Sequence, residues 1–420
     1  MNRRQFLRAG GLVAVGTVAG CAGSRGDDSP RVTTDSPAAT GETTGSATTD
    51  GSTTTTETTA GDHTPGAYTV QTVAEGFASP WSLEPLADGR LLVTEQGGRL
   101  QLVDPAAGTV TRVPGMPTVF ARGQGGLLDA TLHPEFPAEP FLYLTYSAAG
   151  EGSESTTHVG RGRVDLDAPR LRSFERLHAA EPFVESSGHY GSRIAFDREG
   201  GLYVSVGDRQ FKNFGPDHHG QRLDTELGAI LRLEADGGVP ADNPFVDEPD
   251  ARDTIFSYGH RNVQGLARHP ETGAIWASEF GEQDGDEVNV LRRGDNYGWP
   301  VADEGCTYGS GDPIGVSHSD RADVTAPVVS WPCGSGGFPP SGAAFYDGDG
   351  FPEWRGDFFV GGLASRSLVR IGGDRETAAV EQVLLAEREW RLRDVATAPD
   401  GSLLVAVDDD PAPVVRLVPA

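Results

Sequence analysis

From Tyr68 to the C-terminus, apolar residues come in short runs, and each run follows a polar turn built on Gly or Pro. The unit recurs as Asp88-Gly89-Arg90-Leu91-Leu92-Val93, Glu139-Pro140-Phe141-Leu142-Tyr143-Leu144 and Glu199-Gly200-Gly201-Leu202-Tyr203-Val204. It returns as Thr272-Gly273-Ala274-Ile275-Trp276-Ala277, Arg355-Gly356-Asp357-Phe358-Phe359-Val360 and Asp400-Gly401-Ser402-Leu403-Leu404-Val405. Gly and Pro punctuate the chain, while short branched and aromatic runs suit strands. No long helical period appears.

From Gly89, successive turn positions are 51, 60, 73, 83 and 45 residues apart. A propeller blade needs about 40–50 residues, so the longer steps leave room for inserted loops. The pattern predicts an all-β fold over residues 67–420: a six-bladed β-propeller with four-stranded antiparallel blades, whose radial closure hides most sheet edges. A pair of β-sandwiches is the alternative. In a propeller the loops of one face converge on the central channel, which directs attention to the long insertions.

Composition sharpens this. The 57 Gly and 29 Pro fit a loop-rich β protein. The formal charge is −27, and Lys212 is the sole lysine. Phosphate contacts need a basic face, so nucleic acid is excluded as a partner. Acidity spread along the whole chain fits a solvated surface adapted to high salt better than a local site. Three cysteines, Cys21, Cys306 and Cys333, are too few for a disulfide scaffold.

The N-terminus reads as an address. Arg3-Arg4 followed by Gln-Phe-Leu is a twin-arginine export signal, and the apolar run Gly10–Gly20 is too short to span a bilayer. Val18-Ala19-Gly20-Cys21 has the form of a lipobox, in which the Cys21 thiol takes a lipid. Residues 1–20 are expected to be a removable signal peptide. Its loss takes Arg3, Arg4 and Arg8, giving −27 − 3 = −30. Residues 21–66 are rich in Thr, Ser, Gly and Asp, bury too little to fold, and are expected to be a disordered tether. The expected location is the outer face of the cytoplasmic membrane, lipid-anchored or secreted.

Polar residues cluster in five places in the globular part. They are Gly123–Leu128 with Thr131–Phe136, Ser187–Arg193 with Gly207–Arg209, and Tyr258–Leu266. Glu279–Glu287 with Asn296–Pro300, and Arg391–Asp394, complete the set. These blocks read GQGGLLDATLHPEF, HYGSR, GHRNVQGLA, GDEVN, NYGWP and RLRDV. Their identity and order resemble those of the glucose/sorbosone dehydrogenases that use pyrroloquinoline quinone (PQQ). The resemblance runs through nearly all of the globular part.

It implies oxidation of an aldose sugar to a lactone, with PQQ and calcium as cofactors. His189 matches the family's base, and an imidazole suits proton removal near neutral pH. Arg261 and Asn262 match the pair that hydrogen-bonds the quinone oxygens, and Gln124 matches a polar residue of the cofactor and sugar site. Arg391 and Arg393 match a clamp on the PQQ carboxylates; two apart on a strand, they face one way. The backbone carbonyls of Gly281 and Glu282 match the calcium ligands. Three positions depart from the pattern: Glu282 where Pro is frequent, Phe280 where a polar residue is frequent, and Ala364 where some members carry a cofactor-contacting Lys. Arg366 is near enough in sequence to replace that Lys.

Other residues keep two readings. Asp208 and Arg209 suit either a pair with each other or a supporting role at the site, and His218 and His219 suggest a metal site but are expected to be solvated loop residues. Trp299 and Trp331 suit either a sugar platform or core packing. Cys306 and Cys333 suit either a disulfide closing a loop of 27 residues or two free thiols. The electron acceptor is not identified. The competing functions are a non-catalytic glycan- or protein-binding propeller and a propeller hydrolase such as a lactonase, which needs a metal held by side chains.

Overall fold

The computed structural model describes residues 68–420. The signal peptide, the lipobox Cys21 and the tether lie outside the described residues.

The described chain forms six four-stranded antiparallel sheets and, besides strands, only short 3-10 turns. Five blades are continuous in sequence, spanning residues 80–113, 127–179, 194–258, 263–331 and 340–384. The sixth joins both ends of the domain: strand Tyr68–Phe77 pairs antiparallel with Ala412–Pro419, outside Leu403–Val407 and Leu392–Thr397. This closure ties the first described strand to the last: Ala412–Pro419 is flanked on both sides, and Tyr68–Phe77 forms the outer edge of the blade.

All six turns read from the sequence lead into the second strand of a blade. That strand is covered on both faces, which explains its continuous apolar run. The fourth residue after each turn position, Val93, Leu144, Val204, Ala277, Val360 or Val405, is 0 % exposed. The long steps are insertions. The third blade carries excursions over residues 207–228 and 234–254, and the fourth carries residues 291–328 between its last two strands. Cys306 and Cys333 are joined in a disulfide. Of the two cysteine readings, the structure has the bonded one.

Candidate active site

Loops from several blades meet over a cavity of about 640 Å³. Its wall includes Gln124, His189, Arg261 and Arg391 from four connections between blades, Gly281 and Glu282 from a loop of the fourth blade, and Arg393 from the first strand of the sixth. Asn262 is not part of that wall. It is buried, and its Oδ1 accepts a hydrogen bond from Gly191 N at 3.1 Å, beside the His189 turn.

His189 lies in the loop before strand Ile194–Phe196, with a left-handed backbone (φ 46°) and 6 % exposure. Its backbone N donates to Gln124 Oε1 at 2.7 Å, and its ring Nδ1 lies 2.7 Å from Asp208 Oδ1. Asp208 is fixed in turn. Its backbone N donates to Arg261 O at 2.8 Å, and its Oδ2 accepts from Trp299 Nε1 at 2.9 Å. Burial pushes the Asp208 carboxyl up, but the hydrogen bond and charge of His189, with Arg261 and His218 beyond, hold it below its ordinary range. Burial lowers the His189 imidazole, and Arg261 lowers it further. Asp208 opposes both without cancelling them.

Arg261 is 5 % exposed. Its Nη2 lies 2.6 Å from Glu282 Oε2, its Nη1 donates to Phe280 O at 3.3 Å, and its Nε has no partner among the described residues. Beneath it, Glu279 accepts from Arg261 N and from His260, whose other ring nitrogen is 2.9 Å from Ser257 Oγ. This Ser–His–Glu chain resembles a nucleophilic triad in connectivity, yet Ser257 is 0 % exposed. It braces Arg261 and meets no substrate.

Arg391 and Arg393 converge on one carboxylate. Arg391 Nη2 is 2.9 Å from Asp408 Oδ2, and Arg393 Nη2 is 3.1 Å from Asp408 Oδ1. Arg391 lies just before strand Leu392–Thr397 and Arg393 within it, and both turn to the same side, toward Asp408. Arg393 also donates to Gln264 Oε1 at 3.0 Å.

Several expectations are corrected. Asp208 and Arg209 do not pair: Asp208 turns to His189 and Trp299, while Arg209 donates to the carbonyls of Gly188, Ser155 and Ser186. His218 is not solvated; it is 0 % exposed, with Nε2 3.6 Å from Asp208 Oδ2. His219 is half-buried against Phe211. Trp299 is buried under Arg261 and Trp331 stacks on Phe338, so neither stands in the cavity wall. Ala364 lines the cavity, but Arg366 is exposed away from it and does not replace a lysine there.

Sequence reasoning missed Trp81, Lys212 and Asp408, all of which line the cavity. Lys212 bridges to Glu282 from the opposite loop. As the sole lysine of an acidic chain it carried a signal. Trp81 carried none, because a tryptophan at the start of a strand reads as core.

The family model for glucose/sorbosone dehydrogenases matches residues 77–416. Aldose sugar dehydrogenase YliI of Escherichia coli is 34 % identical over 352 residues, covering 83 % of this chain and 92 % of that protein. The crystal structure of the soluble E. coli aldose sugar dehydrogenase in its apo form superposes with a TM-score of 0.78, covering 84 % of this chain and all of that one. The PQQ-bound aldose sugar dehydrogenase of Streptomyces coelicolor is 30 % identical with a TM-score of 0.69, covering 84 % and 99 %. With a match across almost the whole propeller, the chain belongs to the glucose/sorbosone dehydrogenase family.

Proposed function

We propose that this protein is a PQQ-dependent dehydrogenase that oxidises aldose sugars to lactones at the outer face of the cell membrane. One observation carries the reading most: the His189–Asp208 pair opens onto the same cavity as Arg261, Arg391, Arg393 and Lys212. A base for a sugar hydroxyl and guanidinium donors for an anionic quinone stand at one wall, where Glu282 and Asp408 hold those cations in place.

The residues present fit both groups. A buried Arg261 Nε without a partner marks unused donor capacity at the wall. The carbonyls of Gly281 and Glu282 accept no hydrogen bond from any described residue, which leaves them free as hard oxygen ligands. When bound, PQQ supplies a two-electron acceptor and calcium an electrophile beside it. Arg391 and Arg393 hold carboxylates by charge-assisted hydrogen bonds, and Arg261 stabilises negative charge in a dry site.

His189 acts as general base. Asp208 takes the Nδ1 proton in a hydrogen bond, which leaves the Nε2 lone pair for the cavity. Nε2 removes the proton of the anomeric hydroxyl, and the carbonyl of the lactone forms as the anomeric hydrogen leaves with its electron pair. Gln124 holds the His189 backbone during the transfer.

The test is reconstitution: purified protein in high salt, loaded with PQQ and calcium, with dye reduction followed over a panel of aldoses. Sugar-dependent, PQQ-dependent reduction supports the reading. Folded protein that binds no PQQ overturns it in favour of a glycan- or protein-binding propeller. The location has its own test. Replacing Arg3 and Arg4 by Lys should block export, and Cys21→Ala should release the protein from the membrane fraction.

A further inference from the structure

We propose that Arg209 is a positioning residue for His189: it grips the peptide that carries the base, while its neighbour Asp208 grips the ring. The inference rests on the dehydrogenase reading above.

The Gly188–His189 peptide is held at both ends. Its carbonyl accepts from Arg209 Nε at 2.9 Å, and its N–H donates to Gln124 Oε1 at 2.7 Å. The rest of the guanidinium ties that loop to the start of strand Ser155–Asp165. Nη1 donates to Ser155 O at 2.8 Å, Nη2 to Ser186 O at 2.5 Å, and the plane lies 3.8 Å from the centre of the Tyr190 ring. A planar fork holds several carbonyls in one fixed geometry, which an ammonium cannot do.

Two further observations argue against stability alone. Arg209 is 2 % exposed, yet among the described residues no carboxylate lies within ion-pairing distance. A buried cation satisfied only by neutral oxygens is a costly way to fill space that an apolar side chain would fill better. The backbone here is also unusual. His189, Arg209 and Gln210 have φ of 46°, 60° and 65°, the left-handed region that non-glycine residues avoid. Such conformations persist where surrounding contacts over-determine them, and the Arg209 fork supplies those contacts. Arg209 is absent from the cavity wall, so it acts only through His189.

The experiment compares Arg209→Met and Arg209→Lys in the full chain loaded with PQQ and calcium. It measures kcat, KM, PQQ affinity by tryptophan quenching, thermal melting and the pH profile. We expect kcat to fall about 10- to 100-fold, the scale of a small misplacement of a catalytic group. KM and PQQ affinity should stay within about twofold. Burial is the main force lowering His189, so a loosened loop that admits water should move the acid limb upward. The charged groups around the ring, Asp208, Arg261 and Lys212, are unchanged in both variants.

A folded Arg209→Lys protein with wild-type kcat and pH profile overturns the proposal, even if Arg209→Met fails to fold. A parallel loss of PQQ affinity overturns it too, since Arg209 would then support the whole site. Absence of PQQ-dependent turnover in the wild-type protein instead removes the dehydrogenase reading, and this inference with it.

Discussion

His189 Nδ1 rests 2.7 Å from Asp208 Oδ1, with both side chains almost wholly withdrawn from solvent. The pair fixes both the tautomer of His189 and the pH range in which it could serve as the proposed base. Because burial and Arg261 lower the imidazole, its neutral form persists below the ordinary histidine range. The wild-type acid limb should therefore lie below pH ~6.5, with a plateau through neutrality. Asp208→Asn removes the one group that raises His189, so the limb should move further down. The ring also loses its fixed tautomer, and kcat should drop about 10²- to 10⁴-fold. His189→Ala should abolish turnover and leave PQQ bound. Steady-state kinetics across pH with a quenching titration checks all three, and normal turnover by the His189 variant would sink the mechanism.

Arg391 and Arg393 share Asp408 but differ in exposure, 43 % against 12 % for their side chains. Exposed charges are screened by salt and buried ones much less. Arg391→Ala should therefore weaken PQQ binding at low salt and matter little in concentrated salt. Arg393→Ala should weaken it in both. The double variant should lose about 100-fold or more, the scale of two charge-assisted hydrogen bonds. Equal salt dependence of the two single variants would refute the distinction.

The architecture was legible because six strands buried on both faces cannot avoid a repeated apolar run. Only the spacing varied, and the structure shows the excess residues in excursions such as 207–228 and 291–328. The site was legible as far as motifs reach. Arg391 and Arg393 were read as facing one way because a two-residue spacing is local, and both meet Asp408. The partner of Asp208 was not, since its neighbours are distant in sequence: His189, 19 residues away, meets it across the first two strands of one blade, and Trp299, 91 residues away, comes from the insertion of the next. Adjacent opposite charges suggested an Asp208–Arg209 pair, but successive residues point apart, and each finds its partner elsewhere. His218 looked like a solvated loop residue because nothing local shows that its loop folds inward.

Lys212 and Arg261 both neutralise Glu282, the carboxylate standing where a proline is frequent in the family. Lys212→Met leaves that carboxylate with one partner and removes a cation from the wall. PQQ affinity should fall about five- to tenfold at low salt. The effect should fade in concentrated salt, because the lysine side chain is 54 % exposed. Adding Glu282→Gln should restore most of the loss by removing the uncompensated charge. Affinities of the single and double variants at two salt concentrations decide the matter.

Away from the cavity, Arg193 joins two carboxylates from inner strands around the propeller axis, and a third lies beside them. Its Nη1 is 3.3 Å from Asp129 Oδ1 and 3.1 Å from Asp394 Oδ1, and Glu84 stands beside them, accepting from Leu132 N at 3.1 Å. One cation cannot balance three neighbouring carboxylates, of which Asp129 and Asp394 are buried and Glu84 is partly so. Burial pushes Glu84 up to about 8 and Asp394 up to about 6. A carboxyl raised by folding binds its proton more tightly in the folded than in the unfolded chain. Its contribution is therefore whole below the unfolded value near 4.5 and is lost as pH climbs toward about 8. Thermal midpoints should fall between about pH 5 and pH 8. Repulsion within a chain of net charge −27 acts in the same direction, so the slope alone does not identify its source. Glu84→Gln does: an amide has no proton to lose, and the variant's midpoint should fall less over the same range. An unchanged slope in that variant would assign the pH dependence to the surface charge instead.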